Sequence, residues 1–355
     1  MNLRDLKNTI EHKVSKETRE LSEYVKNPQY SLMDRLESFE DIINIEVGDS
    51  SLLRAKSLER DYDIRQLYLK TEGDNPTGTQ KDRIAFAQVY DALRREFDTI
   101  SLATCGNYGS AIALASNLAG LQCKIYIPES YHTARIKEME DHGCEIIRLK
   151  GKYEDNVIES SKLATKNHWY DANPGGANTP LQIQAYSHIA YEIYDQLRDA
   201  PKICAVPISN GTLLAGIYRG FVTLFKRGKT SRIPLMLGAS STRKNPIVYS
   251  FNKGLDRCED LDPAQIKETI LNEPLINWHS FDGDEALYAI KQSNGNAYNV
   301  SDEEMKYMSK YLLAKEYKSI LPASTAGLIG LLKLHDKSAL EPDRYVVILT
   351  AKNVK

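Results

Sequence analysis

The chain is poor in the residues and patterns that would mark a disulfide-stapled, metal-held or membrane-spanning protein. Five of its 355 residues are cysteine: Cys105, Cys123, Cys144, Cys204 and Cys258. The number is odd and no two form a C-x-x-C pair, which argues against a disulfide framework and a zinc knuckle. The seven histidines make no H-E-x-x-H or H-x-x-x-H pair, so no metal site is expected. No apolar run is long enough to cross a bilayer, and the opening Met1-Asn2-Leu3-Arg4-Asp5 leads into charge rather than an apolar signal core. Excess charge of either sign is missing too. Lys plus Arg is 46 and Asp plus Glu 48, a formal net charge of −2, with no pull toward nucleic acid or an anionic membrane. The expectation is a cytoplasmic protein with neither kind of partner.

What is present is an ordinary globular composition, 42% hydrophobic and 26% charged, with length for about two domains. The first sixty or so residues are polar, with apolar residues at helical spacing (Leu21, Tyr24 and Val25; Leu32, Leu36 and Phe39) and a short strand expected at 42–47. From residue 64 short apolar runs alternate with amphipathic stretches. Strands are expected at 67–70, 100–103, 124–127, 145–149, 203–208, 234–239 and 345–349. Helices are expected at 84–97, 110–119, 134–142, 155–167, 179–198, 212–225, 305–316 and 326–334. Such alternation predicts an α/β fold of right-handed β-α-β units with parallel sheets, and ligands beyond the carboxyl ends of the strands.

Four segments there carry chemistry. In Asn75-Pro76-Thr77-Gly78-Thr79-Gln80-Lys81-Asp82-Arg83 a strand ends in a turn and a helix follows, placing Lys81 at a helix start. The helix dipole and Arg83 both disfavour an ammonium there, and a neutral lysine attacks aldehydes, as in a Schiff base with pyridoxal phosphate. The position equally suits a solvated lysine paired with Asp82. Thr104-Cys105-Gly106-Asn107-Tyr108-Gly109-Ser110 joins a strand to a helix through two glycines. It fits a carboxylate or phosphate on its N–H groups, or a plain Gly-rich turn. Ser209-Asn210-Gly211-Thr212-Leu213 repeats that arrangement and suits a phosphate. It is neither a dinucleotide fingerprint nor a Walker loop, so a nicotinamide-dependent dehydrogenase is poorly supported. Thr350, after the last strand, suits either a heterocycle nitrogen or strand-end capping.

Together and in this order, over about residues 65–355, the four resemble pyridoxal-phosphate enzymes of fold type II, the tryptophan-synthase-β-like family. Within it Asn75–Arg83 is most similar to the threonine synthases, whose motif reads N-P-T-G-S-F-K-D-R. The resemblance implies two open, mostly parallel twisted sheets flanked by helices, with a small mobile domain (88–177) inserted into a large one (1–87 and 178–355, with 1–60 a helical extension). It also implies a homodimer with an amino-acid substrate. Lys81 would be the catalytic lysine holding pyridoxal 5'-phosphate. Asn107 would face the ring hydroxyl, Ser209, Asn210, Gly211, Thr212 and Leu213 would cradle the phosphate, and Thr350 would face the ring nitrogen. Thr104, Cys105, Gly106 and Asn107 would hold the substrate carboxylate.

The implied chemistry is elimination or replacement, converting O-phospho-L-homoserine and water to L-threonine and phosphate. A serine or threonine ammonia-lyase, or a cysteine- or cysteate-synthase-like β-replacement enzyme, is the alternative on the same fold. A cofactor-binding protein without turnover is a further one. The sequence departs from threonine synthases at Gln80, where they carry Phe, and at the 209–213 loop, which is nearer that of dehydratases. It also has no Arg within Asn173–Asn178 to pair a substrate phosphate, leaving Arg135, Lys137, Arg243 or Lys244 as candidates.

Overall fold

The computed structural model describes residues 14–353 apart from 105, 130, 132 and 134. Along the chain these form α1 (Lys16–Lys26), α2 (Leu32–Glu46), β1 (Leu52–Arg54), α3 (Lys56–Tyr62), β2 (Leu67–Thr71), α4 (Lys81–Arg94), β3 (Thr99–Ala103), α5 (Asn107–Ala119), β4 (Gln122–Pro128) and α6 (Ile136–Asp141). There follow β5 (Glu145–Leu149), α7 (Tyr153–Asn167), β6 (Tyr170–Asp171), α8 (Thr179–Leu197), β7 (Ile203–Pro207), α9 (Thr212–Lys226), β8 (Leu235–Ser241) and α10 (Pro246–Asn252). The chain ends with α11 (Gly283–Gln292), β9 (Asn296–Val300), α12 (Asp302–Lys315), α13 (Ala326–Lys337) and β10 (Tyr345–Leu349). The architecture is α/β, with two parallel-rich sheets flanked by helices.

Two compact units divide the described chain. One comprises the described residues of Met1–Gly48 with Asn75–Asn173; the other comprises Asp49–Asp74 with the residues from Pro174 onward. The first holds a four-stranded sheet in the order β5-β4-β3-β6, parallel throughout. Its inner strands are mostly buried because helices cover them. Ile100, Leu102, Ile125 and Ile127 are fully buried.

The N-terminal helices belong to this unit. Ser22 Oγ donates to the Leu118 carbonyl at 2.8 Å, and Phe39 stacks on Phe86 with ring centroids 6.0 Å apart. That packing corrects the strand expected at 42–47. Ile42-Ile43-Asn44-Ile45 has strand-like composition, but Leu36, Phe39 and Ile42 are buried three residues apart, on one stripe of α2. Burying such side chains contributes roughly 1.5–3 kcal/mol each, more than a β-branched residue loses in a helix.

The second unit holds a six-stranded sheet in the order β1-β2-β10-β7-β8-β9. Only the short edge strand β1 runs antiparallel to its neighbour. Its core gathers Leu67, Leu69, Ile203, Ala205, Leu237, Val347 and Leu349. Lys70 is buried within β2, and its Nζ pairs with Glu192 Oε2 of α8 at 2.6 Å while donating to the Ser50 carbonyl at 2.5 Å. A buried lysine persists only when paired and hydrogen-bonded in this way. The parallel strands β2, β10 and β7 end together, so the loops from Glu72, Thr350 and Ile208 leave one edge of the sheet.

Candidate active site

Lys81 opens α4, as its turn residues predict. The turn before it is held from inside. Gly78, at φ +80°, closes it by donating to the Asn75 carbonyl at 2.8 Å. Asp82 reaches back and accepts from the Thr77 N–H at 3.0 Å and the Thr77 hydroxyl at 2.8 Å. Arg135 Nη2 donates to the Thr77 carbonyl at 2.6 Å. Asp82 thus serves the loop rather than the lysine, and Arg135 is a buried brace whose Nη1 lies 3.7 Å from Glu138. Lys81 Nζ lies 5.3 Å from the centroid of the Tyr108 ring, within cation–π reach. Tyr108 is held in turn by Gln88 and by its own hydroxyl, which donates to the Ala172 carbonyl at 2.8 Å.

Burial pushes the Asp82 carboxyl up to about 6, against the Thr77 hydrogen bonds and the nearby Arg135 charge. In the unfolded chain an aspartate titrates near 4, so between about pH 4 and 6 the folded state binds the extra proton. Stability from this group is therefore full below pH 4 and is lost as the pH rises to 6, by about 3 kcal/mol. Denaturant unfolding of wild type and Asp82→Asn across pH 4–7 should show this as a sloping difference between the two. A flat difference would contradict it.

The loop after β3 lies in the same unit. Thr104 donates its N–H to the Tyr126 carbonyl at 3.0 Å, and its hydroxyl accepts the Gly106 N–H at 3.3 Å. Gly106 sits at φ +144°, where a Cβ would come within 3.1 Å of Thr133 Oγ1. Asn107 is the first residue of α5, whose opening N–H groups have no carbonyl partner within the helix. Cys105 lies outside the described residues.

In the second unit the loop after β7 leads into α9. Gly211 has φ +98°, and a Cβ there would lie 2.7 Å from Ala286 Cβ and 2.8 Å from the Asp282 carbonyl oxygen. Behind the loop, Asn245 Nδ2 and Ser280 Oγ donate to the Ser209 carbonyl, at 3.0 and 3.3 Å. Asn277 Nδ2 donates to Asn210 Oδ1 at 3.2 Å, and the Asp282 N–H to the Asn210 carbonyl at 3.2 Å. Asp282 also accepts the hydroxyls of Thr179, at 2.6 Å, and of Thr212. The carbonyls of Ser209 and Asn210 are thereby turned back into the protein, while Thr212 and Leu213 present first-turn N–H groups of α9. A closely packed glycine ahead of helix-terminal N–H groups that lack an intrahelical partner is a cradle for an anion such as a phosphate. At the end of β10, Thr350 Oγ1 lies 2.8 Å from Ser324 Oγ.

Taken unit by unit, the first offers the Lys81 amine at a helix start, and the second offers helix-terminal N–H groups suited to a phosphate and, at Thr350, a hydroxyl suited to a ring nitrogen. A family model described as pyridoxal-phosphate dependent enzyme matches residues 43–351. The chain belongs to that family. It is an enzyme, and its cofactor is pyridoxal 5'-phosphate. It is 30% identical over 311 residues to a threonine synthase of Methanocaldococcus jannaschii, covering 87% of this chain and 75% of that protein. A threonine synthase of Methanosarcina acetivorans is 29% identical, with coverage of 87% and 75%. Among solved structures, maize serine racemase aligns with a TM-score of 0.74 at 19% identity, covering 91% of this chain and 95% of that one. The processed form of threonine deaminase isoform 2 from Solanum lycopersicum aligns at 0.73 and 16%, covering 93% of each. At such identities these two likenesses establish the fold alone, which is the fold type II architecture expected from the four motifs.

Among the described residues no helix is long and apolar enough to cross a membrane, and no group of His, Cys, Asp or Glu could hold a metal ion. The supporting residues Asn245, Asn277, Ser280, Asp282 and Ser324 had no sequence signal, since each lies more than 25 residues from the loop it serves. Tyr108 did stand inside a motif, and the one available signal was an aromatic directly after the loop asparagine.

Proposed function

We propose that this enzyme is a threonine synthase, converting O-phospho-L-homoserine and water to L-threonine and phosphate. The observation that carries this reading is the 30% identity to a threonine synthase across 87% of the chain. The Asn75–Arg83 loop, which differs from the threonine synthase motif at Thr79 and Gln80, supports it.

In this reading Lys81 carries the cofactor. When bound, pyridoxal phosphate delocalises the electron pair left at the substrate Cα after proton removal. The Lys81 amine would remove that proton and return one to the carbon chain. The ring of Tyr108 limits where the Lys81 amine can travel. Thr104, Cys105, Gly106 and Asn107 hold the substrate carboxylate on the N-terminus of α5, and Asn107 also meets the ring hydroxyl. Ser209, Asn210, Gly211, Thr212 and Leu213 hold the cofactor phosphate, chiefly through N–H groups, because the Thr212 hydroxyl is committed to Asp282. Thr350 meets the ring nitrogen. The reading also takes the enzyme to be a cytoplasmic homodimer.

The test is incubation of cofactor-loaded enzyme with O-phospho-L-homoserine. Phosphate and threonine should appear in equal amounts. The 209–213 loop, being nearer that of dehydratases, favours one second reading, ammonia-lyase action. Formation of an oxo acid and ammonia from serine or threonine, with no phosphate released from phosphohomoserine, would replace the first reading with the second.

A further inference from the structure

Ser324 lies in the turn Pro322–Thr325 before α13, and its hydroxyl is 2.8 Å from that of Thr350. Ser324 is fully buried, whereas Thr350 at the end of β10 is partly exposed. Ser324 Oγ already accepts the Ala351 N–H at 3.0 Å, and the Ser324 N–H goes to the Leu321 carbonyl at 2.9 Å. A serine hydroxyl has one hydrogen to give. Among the described residues Thr350 Oγ1 is the acceptor within its reach. If Thr350 donated instead, the Ser324 hydrogen would be buried without an acceptor and would bear a full desolvation penalty. Ser324 therefore donates and Thr350 accepts, which turns the Thr350 hydrogen away from Ser324.

A threonine hydroxyl standing alone serves a ring nitrogen in either state, donating to a bare nitrogen or accepting from a protonated one. We propose that Ser324 is a positioning residue that fixes the Thr350 hydroxyl as a donor and so keeps the cofactor's ring nitrogen unprotonated. This rests on the assignment of Thr350 to the ring nitrogen. With that nitrogen bare, the ring draws in less charge from the reacting carbon, a setting suited to elimination and replacement.

The test uses holoenzyme loaded with pyridoxal phosphate carrying 15N in the ring, with the nitrogen chemical shift followed across pH. Wild type should show an unprotonated, hydrogen-bonded nitrogen throughout. Ser324→Ala should move the shift toward the protonated value, with protonation at least tenfold more favourable, and Ser324→Thr should restore it. Thr350→Ala should change the shift, and adding Ser324→Ala to it should change nothing further, because the serine acts through the threonine. Should Ser324→Ala fail to fold, Ser324→Cys, a weak donor of similar shape, should move the shift in the same direction. A shift altered by Thr350→Ala but not by the Ser324 variants would overturn the proposal and leave the Thr350 assignment standing. A shift altered by neither would overturn the Thr350 assignment itself.

Discussion

Lys81→Ala should lower turnover by at least about three orders of magnitude, the upper part of the range for losing a positioned proton-transfer group together with a covalent attachment. Under the role proposed for Lys81, two functions end at once: no amine remains to hold the cofactor, and none remains to take the Cα proton. Lys81→Arg should do no better, because a guanidinium stays protonated and cannot act as either nucleophile or base. The fold should be little affected. Lys81 is half-buried at the first position of α4, and Asp82 and Arg135 brace the turn before it. A small primary amine added to Lys81→Ala should restore part of the rate by supplying the missing base. Turnover within tenfold of wild type in the alanine variant would remove Lys81 from the mechanism.

Gly211→Ala should strike the cofactor and the fold together. At φ +98° any L side chain is strained, and here the new methyl group would also meet Ala286 Cβ at 2.7 Å and a backbone oxygen at 2.8 Å. The combined cost is about 2–4 kcal/mol, from left-handed backbone strain and overpacking. Because the obstacles are a helix residue and main chain, the loop must move instead, carrying the N–H groups of Thr212 and Leu213 with it. The cofactor dissociation constant, read by absorbance titration, should rise at least about tenfold, which corresponds to 1.4 kcal/mol. Gly228→Ala is the control. Gly228 lies just beyond the other end of α9 at φ +66°, with nothing within 4 Å of a Cβ. It should lose about 1 kcal/mol of stability and leave cofactor affinity unchanged. Equal affinities in the two variants would mean that the 209–213 loop does not hold the cofactor.

The parts of the fold that could be read in the sequence are those where one rule dominates. β3, β4, β7 and β10 are short apolar runs between turn residues, and each proved a strand within two residues of its expected ends. α8 and α9 carry clear amphipathic patterns and begin where expected, at Thr179 and Thr212. The missed strands sit at sheet edges. β1 has three residues, mostly exposed, β6 has two, and β9 reads Asn-Ala-Tyr-Asn-Val, too polar to signal a strand. α2 was misjudged over 42–47 because its apolar stripe is completed by packing on Phe86, a residue from another helix.

The site divides in the same way. Lys81, Asn107, Gly211 and Thr350 stand beside punctuation: a Pro-Thr-Gly turn, a Gly-Asn pair, an Asn-Gly pair and a strand end. Their supports do not. Asp282 meets Thr212 across seventy residues of chain and Ser324 meets Thr350 across twenty-six, distances at which no local pattern carries information.

The most direct measurement is to reduce the cofactor-loaded enzyme with borohydride, digest it and map the pyridoxyl mass. The expected result is a single modified peptide with the added mass on Lys81, absent from Lys81→Ala. A pyridoxyl group on any other lysine, or no covalent adduct from enzyme with bound cofactor, would contradict the placement of the chemistry at Lys81.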